Sequence, residues 1–215
     1  MKRKFLGLLC LTLLANILYS QNIDGGATEI LQALTKKYQQ LTTMKIDYTY
    51  TAEKEKKVID SQQGNIIIKG NKYVLELNSQ LIYCDGKTIW NFDKNAEEIT
   101  IFDYDPSDDF SMLNPSAVLE NWQKEYKAKF IREEVQQNKT LQIIDLQPIK
   151  NKSYYKIRLY VDKHKRELYA SSVFEKDNTI YSYFIDKFTI SKTYEDSFFV
   201  LDTSKYPNAE INDMR

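Results

Sequence analysis

Asp85-Gly86-Lys87-Thr88-Ile89-Trp90-Asn91-Phe92-Asp93 joins a tight turn to a strand. The apolar run Leu81-Ile82-Tyr83-Cys84 precedes the turn and Ile89-Trp90-Asn91-Phe92 follows it. Asp-Gly between two such runs is a strong short-range hairpin signal, because glycine supplies the positive φ that the turn needs. Strands of this kind fill most of the chain, and their large side chains fall on alternate positions. One face of the resulting sheet must therefore be covered by something apolar.

Working outward, residues 65 to 69 carry three consecutive isoleucines, and Gly70-Asn71-Lys72 turns the chain back into Tyr73-Val74-Leu75-Glu76-Leu77. Tyr73, Leu75 and Leu77 share a face. Lys94-Asn95-Ala96 makes a further turn, and Glu98-Ile99-Thr100-Ile101-Phe102 returns. On the N-terminal side, Ile46, Tyr48 and Tyr50 alternate with Lys45, Asp47 and Thr49, which is a half-buried strand. Before it, residues 27 to 42 repeat Ile30, Leu31, Leu34, Tyr38 and Leu41 at spacings of three and four, the pattern of an amphipathic helix.

The meander breaks at the acidic residues 103 to 109 and again at Asn114-Pro115, where an Asn N-cap and a Pro at the first helical position announce a second helix. Val118, Leu119, Trp122 and Tyr126 follow at helical spacing. Strands resume to about residue 190, with a last one expected near residues 198 to 201. About ten strands and two or three helices result. Two helices are too few to cover a sheet of that length as a full second layer, so a partly closed barrel with helices over its mouth is expected.

The chain has 215 residues. Lys2-Arg3-Lys4 followed by an apolar stretch reads as a secretory signal peptide, with cleavage after Ser20. Residues 1–20 are thus expected to be a leader, and residues 21–215 a single exported domain. Without the leader the chain is slightly acidic, which argues against nucleic acid as a partner. Cys84 is then the one remaining cysteine, so no internal disulfide forms and packing must supply the stability.

Catalytic and metal constellations are incomplete. His164, the one histidine, lies between Lys163 and Lys165 in an expected turn. Counting Asp103 as the first ligand of a calcium loop puts Asp108 where glycine is needed and Asn114 where glutamate is needed. The one compositional excess is aromatic, with 16 Tyr and 10 Phe. Cross-strand core pairing explains it, and so does a lipid-type cavity.

The order of elements resembles the LolA-like outer-membrane lipoprotein carriers. The resemblance rests on Ile46-Asp47-Tyr48, on Gly64 opening the strand to Lys69, and on Lys72-Tyr73 followed by Leu75. It continues with Asp85-Gly86-Lys87-Thr88-Ile89-Trp90, Glu97-Glu98-Ile99-Thr100, Phe199, and Lys205-Tyr206-Pro207-Asn208-Ala209-Glu210. It implies a mainly antiparallel, unclosed β-barrel with a helical lid over an apolar cavity. It also implies a monomeric periplasmic shuttle without catalysis or cofactor. Such a carrier receives acylated lipoproteins from an inner-membrane ATP-driven release complex and delivers them to an outer-membrane acceptor. Similar folds also serve as periplasmic lipid- or glycolipid-binding sensors or shuttles, and cargo identity separates the two; a hydrolase would need a general base that the residues do not offer.

On this reading the cavity is expected to be lined by Tyr73, Leu75, Leu77, Trp90, Phe92 and Phe102, with Leu31, Leu34, Val118 and Trp122 facing it from the lid. Family members typically carry Arg-Pro after the lysine matched by Lys69, and that Arg ties lid to barrel. Gly70-Asn71 stand here instead, so the latch is either different or weaker.

Overall fold

The computed structural model describes residues 24–105, 115–190 and 194–215, with the backbone alone for 115–117. The expected leader, the Asn114 cap and most of the acidic loop lie outside the described residues. Helix α1 (Gly25–Gln39) begins where the Asp24 carboxylate accepts hydrogen bonds from the Gly26 and Ala27 N–H groups, at 3.0 and 3.2 Å. That cap starts the helix two residues before its apolar repeat. Ala27, Leu31, Leu34 and Tyr38 form its buried stripe.

Six strands follow in a meander: β1 (Met44–Lys54), β2 (Lys57–Lys69), β3 (Lys72–Leu77), β4 (Gln80–Cys84), β5 (Thr88–Asp93) and β6 (Glu98–Asp103). In the β4–β5 turn Asp85 Oδ1 accepts from the N–H groups of Lys87 and Thr88, and Gly86 takes φ +89°. Helix α2 (Pro115–Glu125) comes next. A second meander runs through β7 (Tyr126–Gln136), β8 (Lys139–Pro148), β9 (Tyr154–Asp162), β10 (Glu167–Glu175) and β11 (Thr179–Ile190).

With a short last strand, β12 (Glu210–Asp213), the strands form one sheet in the order β12-β6-β5-β4-β3-β2-β1-β11-β10-β9-β8-β7. The first strand pairs with the eleventh, which welds the two meanders together at the centre. The terminal strands of this order do not pair with each other, so the barrel is unclosed. The fold is the mainly antiparallel half-barrel with helices that the resemblance implied, with twelve strands among the described residues rather than about ten.

The C-terminal segment differs from expectation. Residues 196 to 199 form a 3-10 turn (Asp196–Phe199) instead of a strand, and the last strand is β12 (Glu210–Asp213), parallel to β6. Asp196 is held by Lys69 at 2.9 Å and Lys72 at 2.7 Å. Phe199 is fully buried and Leu201 nearly so. Residues anchored in that way follow the sheet surface and do not extend its hydrogen-bond ladder.

Burial separates into two clusters. The main one fills the concave side of the sheet beneath α1 and α2. A smaller one lies on the opposite side of β4–β6, where Leu81, Tyr83, Trp90, Phe92, Ile99 and Ile101 pack under the C-terminal segment through Leu201, Tyr206 and Ala209. The Phe92 and Tyr206 rings are 4.3 Å apart.

Candidate functional site

The connection from β6 to β7 must travel from near one edge of the sheet to the other edge, and α2 lies in that crossing. It lays Val118 and Leu119 against the concave centre, over a cavity with about 50 Å³ of free volume. Ile46 and Tyr48 of β1 and Ile66 of β2 line one side. Ile157 and Leu159 of β9 line the other, with Leu168, Ser171 and Val173 of β10 and Tyr183 and Ile185 of β11. No charged side chain is among the described residues that line it. Burial pushes the Tyr48 and Tyr183 hydroxyls well above the ordinary tyrosine range, so neither supplies a charge at neutral pH.

The strand residues expected to line the cavity are elsewhere. Tyr73 and Leu75 are fully buried in the main cluster, and Leu77 and Phe102 pack half-buried against it. They share the concave side but not the cavity, because α2 crosses over β1, β2 and β9–β11, while β3 and β6 lie to one side. Trp90 and Phe92 lie on the opposite face of the sheet, in the smaller cluster. Cys84 pairs with Ile89, which puts Ile89 on the concave side and turns its neighbours outward into the smaller cluster. Of the lid positions, Leu31, Leu34, Val118 and Trp122 are all buried in the main cluster, and Val118 lines the cavity.

Of this cavity's lining the sequence reading named Val118 alone, and missed Leu119 and every strand residue. The signal was partly present in the alternation of Ile46, Tyr48 and Tyr50. The contributions of β9, β10 and β11 depend on the β1–β11 pairing, which no local pattern announces.

The lid is fastened by its own set of bonds. Thr35 Oγ1 of α1 donates to the Leu119 carbonyl of α2 at 3.0 Å. Asp24 Oδ2 accepts from the Phe130 N–H of β7 at 2.9 Å, and the three backbone donors around Asp24, Phe130 foremost, hold its carboxyl below the usual range. At the other end of α1, Lys37 reaches Glu167 at 2.8 Å and the Tyr38 hydroxyl accepts from the Leu168 N–H. Lys69 and Lys72 bind the C-terminal segment through Asp196, and Lys69 also donates to the Tyr194 carbonyl. Thr35 is one side chain that ties α1 to α2.

Residues 39–202 match the family described as outer membrane lipoprotein carrier protein LolA. The chain belongs to the LolA family. LolA-family proteins are carriers rather than enzymes. A curated relative, an uncharacterized protein of Methanocaldococcus jannaschii, is 24% identical over 167 residues, or 77% of this chain and 48% of the relative. The chain thus spans about half the length of that relative.

Among solved structures, a conserved uncharacterized protein from Thermus thermophilus superposes with a TM-score of 0.58 at 9% identity, covering 87% of this chain and 99% of that one. A domain from Vibrio parahaemolyticus named for outer membrane lipoprotein sorting gives 0.52 at 7% identity, covering 84% and 98%. At such identities the likeness is one of fold. His164 is exposed in the β9–β10 turn, where its backbone N–H donates to Asp162.

Proposed function

We propose that this protein is a periplasmic carrier that takes the acyl chains of lipoproteins into the cavity beneath α2. It shuttles them from an inner-membrane ATP-driven release complex to an outer-membrane acceptor. The supporting observation is the apolar cavity at the centre of the sheet, roofed by a crossing helix and free of charge among its described lining residues. Moving an acyl chain from a bilayer into water costs about 0.8 kcal/mol per CH₂. Three ordinary chains therefore represent on the order of 30 kcal/mol, and only an enclosed apolar surface offsets a cost of that size.

The cavity at about 50 Å³ holds a few waters, each of which needs roughly 10–15 Å³ by this measure, and falls far short of an acyl chain. Cargo binding therefore requires α2 to lift from the sheet. The Thr35 to Leu119 hydrogen bond contributes only about 1 kcal/mol net to holding it. Lifting α2 also exposes Val118, Leu119 and Trp122, which are buried against the core, so the entering acyl chains must replace that packing.

The test is native mass spectrometry of the mature protein purified gently from the periplasm of its host. Co-purification of an acylated protein is expected; a bound free lipid alone would move the reading to a lipid shuttle or sensor. Val173→Phe, which fills the cavity, should reduce binding of an acylated peptide at least tenfold, whereas Trp90→Ala on the opposite face should not. Equal binding by both variants would displace the cargo site from this cavity.

A further inference from the structure

Among the described residues, the polar side chains of the cavity lining are Tyr48, Ser171 and Tyr183, each of which carries a hydroxyl. Tyr48 stands apart from the other two. It is 5% exposed, and its hydroxyl is buried with no hydrogen-bond partner among the described residues. Its position is built by the sheet. Tyr48 pairs across β1–β2 with Gly64, and the ring lies over that glycine so closely that a Cβ there would come within 2.7 Å of Tyr48 Cζ and 2.8 Å of its hydroxyl. The Tyr183 ring, 5.9 Å away in edge contact, holds the other side.

A buried hydroxyl without a partner is costly, and folded proteins rarely leave one so. Within an otherwise aliphatic cavity, this donor fits a ligand that brings its own acceptor. A free carboxylate is a poor match, since the described lining offers no cation to offset a buried charge. An alkyl chain or ether brings no strong acceptor. A neutral carbonyl oxygen matches both the donor and the absence of charge, and it occurs where an acyl chain is joined to its head by an ester or amide.

We infer that the Tyr48 hydroxyl donates to the ester or amide carbonyl of a bound acyl chain and makes the cavity selective for acyl-linked lipids over free fatty acids and alkyl ethers. This rests on the reading that the cavity takes acyl chains. It adds the residue that recognises how the chain is attached.

The experiment uses the full mature chain and two probes of equal chain length, a diacylglycerol and its dialkyl ether analogue, each displacing a fluorescent acyl reporter. Wild type should bind the diacyl probe about tenfold more tightly than the ether, the difference expected for one hydrogen bond to an otherwise unpaired donor. Tyr48→Phe removes only the hydroxyl, should not lower the melting temperature, and should bind the ether as wild type does while losing the preference.

Infrared spectra with a carbonyl-labelled ester give a second readout. The stretch should shift to lower frequency on binding wild type and not on binding Tyr48→Phe. An unchanged preference in Tyr48→Phe, or equal binding of both probes by wild type, overturns the assignment while leaving the cavity reading intact. Failure of wild type to bind either probe removes the cavity reading, and this assignment with it.

Discussion

Gly64 shows how much one position decides. A Cβ there would meet the Tyr48 ring and, at 2.8 Å, the backbone carbonyl oxygen of Glu76 on β3. A flexible side chain would yield, but a backbone carbonyl in a ladder does not. Gly64→Ala is therefore expected to destabilise the protein by about 1–3 kcal/mol, as overpacking does elsewhere, and to shift the urea midpoint downward. An unchanged midpoint would mean that β2 and β3 separate at this point more easily than their pairing suggests. The sequence reads this glycine as the opening of a strand, but β2 begins at Lys57 and Gly64 sits in its middle, and its role as the seat of Tyr48 depends on the β1–β2 register. Cys84 illustrates the reverse case, since a cysteine without a disulfide partner on an apolar strand packs as a small buried hydrophobe whatever its neighbours. Burial pushes its thiol up to about 11, which keeps it protonated and inert.

Helix α2 depends on its neighbours more than on its own length. Its eleven residues (Pro115–Glu125) are too few to be stable alone, so its order comes from packing on the sheet and from the Thr35 bond to α1. Thr35→Val should cost about 1 kcal/mol in overall stability and speed both proteolysis within α2 and release of bound cargo. Unaltered release would show that apolar packing alone holds the lid.

A second fastening joins the β2–β3 end to the C-terminal 3-10 turn. Lys72 and Lys69 hold the Asp196 carboxyl down to about 2, below its ordinary 3.8. A carboxylate depressed in this way lends stability that is complete above its unfolded value and is lost as pH falls through its folded one. This link should therefore persist at pH 5 and fail between about 4 and about 2. A carbon-detected titration of Asp196 should give a midpoint near 2 in wild type and near 4 when Lys69 and Lys72 are both changed to Gln. A wild-type midpoint near 4 would mean that the ion pairs do not form in solution.

The whole molecule is a sheet whose two meanders meet at β1 and β11 and whose outer strands stay apart. Because the barrel does not close, the concave side needs a roof, and α2, which lies between β6 and β7 in the chain, covers its centre. Opening must then be a movement of α2 relative to a sheet held by continuous ladders. Hydrogen exchange should accordingly be faster in α2 than in β1 and β11, and a bound acylated peptide should slow α2 far more than the strands. Equal protection of helix and central strands without cargo would argue that the sheet itself deforms to admit the chain.

The sequence determined what short-range chemistry determines. The Asp85-Gly86 turn requires a hairpin, the spacing of Leu31, Leu34 and Tyr38 requires a helix with one buried face, and the alternation of Ile46 and Tyr48 requires a half-buried strand. Together with the order of motifs, these were enough for an unclosed antiparallel sheet with a helical lid. Only the tertiary structure decided the site. A one-residue change of register exchanges the faces of a strand, so Trp90 and Phe92 could be placed only once Cys84 was seen opposite Ile89. The cavity itself arises where α2 crosses strands that are more than a hundred residues apart along the chain. Local periodicity carries no information about a pairing such as Tyr48 with Ile185, because the energy that selects it is shared by the entire sheet.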